Sequence, residues 1–208
     1  MGRKRTQSGF TLLELMITLM VAGTILGMAA PSFREFVLNS RMTGSANDLL
    51  TSLNLARSEA IKRQRPVAIC PSLDPRASPP TCRGAAIWSD TASQAGLVLW
   101  EDTNGDGTPA AGEAVIAPQD ILGASLTVRS NFNAVVYQPN GFADVPGNPA
   151  VRVVLICDER ANSSTGDSYR KRLISVNRTG RSEVLKGVAA VDLLEDEAFG
   201  DTGNCPGT

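Results

Sequence analysis

The sequence contains no histidine. That removes Ser-His-Asp and Cys-His catalysis, and it removes imidazole-ligated zinc and haem. Aromatic residues make up only 5% of the chain, so stacking platforms are sparse; Trp88, Trp100 and Tyr137 fall in apolar runs and are expected to pack in a core. There is little net charge: the formal value is −1, and no global basic field points to nucleic acid. No Cys-x-x-Cys pair occurs, which leaves zinc-ribbon and thioredoxin-like readings without support. No Gly-x-Gly-x-x-Gly phosphate loop is present, and no Ser or Cys has a general base placed by a motif. An enzymatic reading therefore finds no positive signal.

What is present begins at the amino terminus. Arg3, Lys4 and Arg5 form a basic cluster, and residues 10–30 that follow are almost wholly apolar. A helix of about 20 residues spans about 30 Å of hydrocarbon, so this run is long enough to cross a membrane. Basic residues ahead of a spanning helix stay on the cytoplasmic side, which sends the rest of the chain outward, beyond the inner membrane. Glu14 interrupts the apolar run. A carboxylate at membrane depth is costly and marks function. A cleavable secretory signal is the plain alternative, but no Ala-x-Ala site closes the run and Pro31 follows Ala30 directly.

Four cysteines, Cys70, Cys82, Cys157 and Cys205, lie in the exported part. An even count there predicts two disulfides, with four buried free thiols as the alternative. Three pairings can be drawn. The preferred one joins Cys70 to Cys82 across a proline-rich loop and Cys157 to Cys205, tying down the tail.

Ala46, Leu49, Leu53, Ala56 and Ala60 recur at three- and four-residue spacing, with Asp48, Arg57, Glu59 and Lys62 mainly off the stripe. This predicts that the helix continues over 31–65 and lays one apolar face on a sheet, until Pro66 ends it. After Pro66 the pattern shifts to short strands at 67–70, 85–88, 97–101, 113–117, 126–129, 134–137, 151–157 and 172–176. Turn signals such as Asn104-Gly105, Pro139-Asn140-Gly141 and the Asn177 to Gly180 segment separate them. The expected fold class is α+β: one long N-terminal transmembrane helix packed on an antiparallel β-sheet head over 66–208.

Gly9-Phe10-Thr11-Leu12-Leu13-Glu14 resembles the type IV prepilin motif. The resemblance implies that residues 1–9 are a leader removed by prepilin peptidase between Gly9 and Phe10, and that the new amino terminus at Phe10 is N-methylated. It implies that Glu14 pairs with the free amino terminus of a neighbouring subunit, and that Pro31 kinks the helix. Loss of the three leader cations would take the formal charge from −1 to −4. Further along, Ser58-Glu59-Ala60-Ile61-Lys62-Arg63, the Gly96 to Gly107 stretch, Gln138-Pro139-Asn140-Gly141 and Gly180-Arg181 are together similar to the GspH/FimT family of minor pilins and pseudopilins. The ending Asn204-Cys205-Pro206 resembles the FimT/FimU pilus branch more than the secretion pseudopilin. The resemblance implies a structural subunit of a type IV pilus, with a type II secretion pseudopilin as the alternative. It also implies other pilins, prepilin peptidase and the inner membrane as partners.

Two sites in the head carry chemistry of their own. Asp102, Asn104, Asp106 and Glu113 match the spacing of a calcium-binding loop, but the flanks read as strands. A β-turn built from Asn, Asp and Gly is the preferred reading there. Arg178, Arg181 and Lys186 form a candidate DNA-binding cluster, because FimT-like DNA receptors resemble this chain and carry a Gly-Arg-x-Arg loop. Here the loop reads Gly180-Arg181-Ser182-Glu183, with glutamate in place of the last arginine. Solvated turn charges are the preferred reading.

Overall fold

The computed structural model describes residues 9–72, 74–77, 80–82, 96–120, 126–144, 152–158 and 171–185. The chain divides into two compact units, Met1–Ser40 and Arg41–Thr208. One helix, α1 (Leu12–Arg63), supplies nearly all that is described of the first unit and the opening of the second.

In the first unit α1 carries no charged side chain from Leu15 to Phe33. The large side chains from Phe10 to Phe36 are solvent-exposed, Met28 and Phe33 among them. The mean hydropathy of its most apolar window is 2.0. Thr18 and Thr24 donate their hydroxyls to the carbonyls of Leu15 and Val21 within the helix. Neither hydroxyl needs water, which suits a helix in hydrocarbon. The helical assignment runs unbroken through Pro31.

In the second unit α1 turns amphipathic. Met42, Ala46, Leu49, Leu53, Ala56 and Ala60 are all buried, at the spacing of one helix face. The helix stops at Gln64, whose φ of 56° is left-handed, and Pro66 follows two residues later. A left-handed residue and then a proline is an ordinary way to end a helix.

Nine strands follow. They are β1 (Val67–Ser72), β2 (Gly96–Glu101), β3 (Val115–Asp120), β4 (Leu126–Ser130), β5 (Val135–Tyr137), β6 (Ala143–Asp144), β7 (Val153–Asp158), β8 (Lys171–Val176) and β9 (Ser182–Leu185). All pair antiparallel, as the sequence pattern predicts. They form two sheets: a five-stranded sheet in the order β3-β2-β1-β5-β6 and a four-stranded sheet in the order β4-β7-β8-β9. The helix stripe, Val67, Ile69, Leu99 and Tyr137 of the first sheet, and Val128, Ile156 and Ile174 of the second share one core. Ala68, Cys70, Val98, Trp100 and Val136 alternate onto the other face of the first sheet and form a smaller cluster. Trp100 and Tyr137 are fully buried, as expected for core aromatics, while Trp88 lies outside the described residues.

Two strands escape the sequence pattern. β6 is only two residues long, too short to alternate. β9 carries Ser182 and Glu183 and is a half-exposed edge strand. β3 begins two residues later than its apolar pattern suggests because the Glu113 carboxylate is engaged by the preceding loop. It tolerates Pro118 because it is an edge strand. The expected strand at 85–88 lies outside the described residues.

Candidate functional site

Gly9 and Phe10 precede the helix, outside regular structure and exposed. A peptide bond there is open to a protease in a way that a helical bond is not. Thr11 is the N-cap: its hydroxyl accepts the backbone N–H of Glu14 at 3.2 Å. Glu14 thus sits in the first helical turn, where a carboxylate complements the positive end of the helix dipole. Its side chain makes no hydrogen bond or ion pair among the described residues. A capped helix start, an unpaired carboxylate and a long exposed apolar surface occur together at this end of the chain.

The basic clusters separate into paired and unpaired groups. Lys62 and Arg63 both contact Glu59, the latter at 2.7 Å. Arg65 contacts Glu101 at 2.9 Å. The pair Lys62 and Arg63 pulls the Glu59 carboxyl below its ordinary value, Arg63 most strongly. Arg178 and Arg181 are exposed on the β8–β9 turn, and their side chains are unpaired among the described residues. Lys186, grouped with them from the sequence, lies outside the described residues.

Arg57 lies off the apolar stripe, and it does more than face solvent. Its Nε donates to the Gly141 carbonyl at 3.0 Å and its Nη2 to the Thr179 carbonyl at 3.1 Å. One helix side chain thereby ties together the β5–β6 turn and the β8–β9 turn, which belong to different sheets. Ala143 N–H donates to the Arg178 carbonyl at 3.1 Å and closes the same junction. The Tyr137 phenol lies beside the Ser182 hydroxyl at 3.4 Å. Burial pushes that phenol up to about 12, against the opposing pull of Ser182 and of Arg57. The sequence hint for this role was an arginine at the edge of the stripe, between Ala56 and Ala60, where small neighbours leave room for a long side chain to lie down.

The acidic loop at 102–114 is organised by its own carboxylates. Buried Asp102 accepts the N–H groups of Gly105 at 2.8 Å and Gly107 at 3.0 Å. Asp106 accepts from the Thr108 N–H and hydroxyl, and Glu113 from Thr103 and Ala110. Burial pushes the Asp102 carboxyl up; the Thr108 donors hold Asp106 down. The two act oppositely with pH. Asp102 contributes stability that is lost as pH rises through its raised pKa, and Asp106 contributes stability that is lost as pH falls through its lowered one. Among the described residues no group of three or more His, Cys, Asp or Glu side chains is placed to hold a metal. Asp102, Asp106 and Glu113 accept N–H groups of the loop itself, and the Asn104 amide donates to Asp106. Millimolar calcium is accordingly expected to leave the melting temperature of the purified protein unchanged. A rise of several degrees would show that these oxygens can be recruited to a cation.

Cys70 and Cys82 form a disulfide, with Cα atoms 5.6 Å apart. Cys157 is disulfide-bonded as well; Cys205, its expected partner, lies outside the described residues.

Comparison with known proteins adds a family. Residues 45–180, more than half of the chain, match the family model of type II transport protein GspH, and residues 4–30 match the prokaryotic N-terminal methylation motif. No curated protein matches the sequence. Two crystal structures of the type IV minor pilin FimU of Pseudomonas aeruginosa strain PAO1 are similar at 21% identity. In space group P65 the match has a TM-score of 0.44 and covers 69% of this chain and 91% of that one. In space group P21 it has a TM-score of 0.45 and covers 72% and 92%. With the methylation motif over its apolar helix start and the family match over its β-rich head, this chain belongs to the GspH family of minor pilins and pseudopilins.

Proposed function

We propose that this protein is a structural minor pilin rather than an enzyme. In this reading it inserts in the inner membrane with its amino terminus cytoplasmic and its head periplasmic. Prepilin peptidase then cuts it between Gly9 and Phe10, Phe10 is methylated, and the subunit joins other pilins in assembling or priming a type IV pilus. The observation that carries the proposal is the start of α1. An exposed Gly9–Phe10 bond stands directly before a Thr11 cap, and one unpaired carboxylate stands in an apolar, exposed helix. The described head offers a packed core and turns organised by Asp102 and Arg57. The pilus is preferred because the tail ending Asn204-Cys205-Pro206 and the disulfide-bonded Cys157 fit the FimT/FimU branch.

The match to the type II transport protein GspH family supports a second machine, the pseudopilus of type II secretion. A clean chromosomal deletion separates the two. Lost piliation and twitching with intact protein secretion is the expected phenotype; lost secretion with normal piliation would overturn the pilus assignment. Transformation scored in the same strain tests whether exposed Arg178 and Arg181 serve DNA uptake.

A further inference from the structure

We infer that Asn104 is a self-modification site, at which the Gly105 backbone nitrogen attacks the Asn104 side chain and converts it to aspartate or isoaspartate. The chemistry is independent of which filament the chain joins.

Asn-Gly occurs twice in the chain, at 104–105 and at 140–141. In each, the side-chain amide and the next backbone nitrogen belong to one dipeptide, so ring closure is intramolecular. Glycine adds no Cβ to obstruct the nitrogen. The two sites share their turn geometry. Gly105 has φ 74° and Gly141 φ 80°. Each Asn side-chain oxygen accepts the backbone N–H two residues on, from Asp106 at 3.1 Å and from Phe142 at 3.0 Å. Both asparagines are exposed.

Two differences separate them. The first is the acceptor of the glycine N–H. Gly141 donates to the Gln138 carbonyl at 2.8 Å, and a neutral amide oxygen is too weak a base to take that proton. Gly105 donates to the Asp102 carboxylate at 2.8 Å. A carboxylate within hydrogen-bond reach of the proton is what general-base catalysis requires. Asp102 is buried, and burial pushes its carboxyl up, so it is a stronger base than an exposed aspartate. The second difference is room to move. A Cβ at Gly141 would stand 3.2 Å from Ile61 Cδ1 and 3.3 Å from Arg57 Nε, and Arg57 also holds the Gly141 carbonyl. Nothing lies within 4 Å of a Cβ at Gly105. The 104–105 peptide has room to turn towards its side chain, whereas the 140–141 peptide is clamped.

Asp102 takes the Gly105 N–H proton as the nitrogen bonds to Asn104 Cγ. The Asp106 N–H already points at Asn104 Oδ1, where negative charge develops. The Cγ–Nδ2 bond then breaks. Nδ2 takes a proton from water and leaves as ammonia, and Asp102 returns its own proton to solvent. Water opens the resulting succinimide at either carbonyl, which leaves aspartate or isoaspartate at 104. The donation from Asn104 Nδ2 to Asp106 at 2.9 Å is thereby replaced by a further carboxylate, in a loop that already holds Asp102, Asp106 and Glu113.

Peptide mass spectrometry at positions 104 and 140 tests this, on full-length protein aged in detergent at neutral pH for several weeks. One sample is kept folded, and one is unfolded in guanidinium chloride with its disulfides reduced. In the unfolded chain the two asparagines should convert at similar rates. In the folded chain Asn104 is expected to convert about tenfold faster than it does unfolded, and Asn140 more slowly than it does unfolded. Asp102→Asn should return Asn104 to the unfolded rate or below, whether or not the loop keeps its shape. A folded-state rate at Asn104 no higher than the unfolded one would mean that the bond to Asp102 protects the peptide, and would overturn the inference. Unchanged conversion in Asp102→Asn would overturn the role of Asp102 as the base.

Discussion

Glu14→Ala is expected to insert in the membrane, to be cut at the same bond, and then to be recovered in sheared filaments about a hundredfold less than the unaltered protein. The magnitude follows from the ion pair it would lose, since breaking a buried pair leaves one uncompensated charge and costs about 3–5 kcal/mol. Insertion is not at risk. A carboxylate within an apolar helix opposes insertion by up to about 3 kcal/mol, so its removal helps. The helix start is not at risk either, because Glu14 contributes its backbone N–H to the Thr11 cap, and alanine keeps that group. What alanine lacks is the carboxylate, which is unpaired among the described residues of the monomer. After cleavage the chain would begin with an α-ammonium at Phe10, a charge with the same need for a partner. Glu14→Gln keeps the size and removes the charge, and it should fail as alanine does. Immunoblots of membrane and sheared fractions measure both variants. Recovery of either at the unaltered level in filaments would contradict the pairing.

Gly180→Ala should lower the melting temperature by about 6–12 °C, equivalent to about 3 kcal/mol in a unit of this size. Two effects add. Gly180 has φ +76°, a conformation that costs an alanine about 1–2 kcal/mol. A Cβ there would also overlap the Gly141 carbonyl oxygen and stand 3.1 Å from Arg57 Nε. The turn would have to move off the Arg57 clamp, leaving carbonyl acceptors unpaired at about 1–3 kcal/mol. Gly105→Ala separates the two contributions: its φ is +74°, and nothing lies within 4 Å of an added Cβ. It should show the conformational cost alone. If Gly180→Ala melts no lower than Gly105→Ala, the close approach at the junction does not matter to stability. The comparison also bears on function. A Gly180 variant that loses activity would lose it first through the fold of this junction, and only Arg178 and Arg181 substitutions would report on binding.

Much of this was legible in the chain because the signals are local. The helix face from Ala46 to Ala60, the stop before Pro66, seven of the strand cores and the turns at Gly105, Gly141 and Gly180 all follow from period and turn chemistry within a few residues. The division into two sheets was not legible. It depends on which strand each edge residue meets, as when Val67 lies between Glu101 and Tyr137, and alternation alone carries no partner. The Arg57 junction was hidden for a related reason. Its acceptors are carbonyls of residues 141 and 179, and backbone acceptors leave no mark on a sequence. The calcium-like spacing from Asp102 to Glu113 shows the converse. The same oxygens that would ligate an ion also satisfy turn amides, and spacing does not distinguish the two until the donors are placed.

The amino terminus of the mature protein tests the central claim most directly. Intact-mass and terminal-peptide mass spectrometry on the protein extracted from membranes should find a chain that begins at Phe10, carries one added methyl group on its amine, and retains residues 10–30. A chain that keeps Arg3, Lys4 and Arg5, or one cut after the apolar run near Ala30, would contradict it.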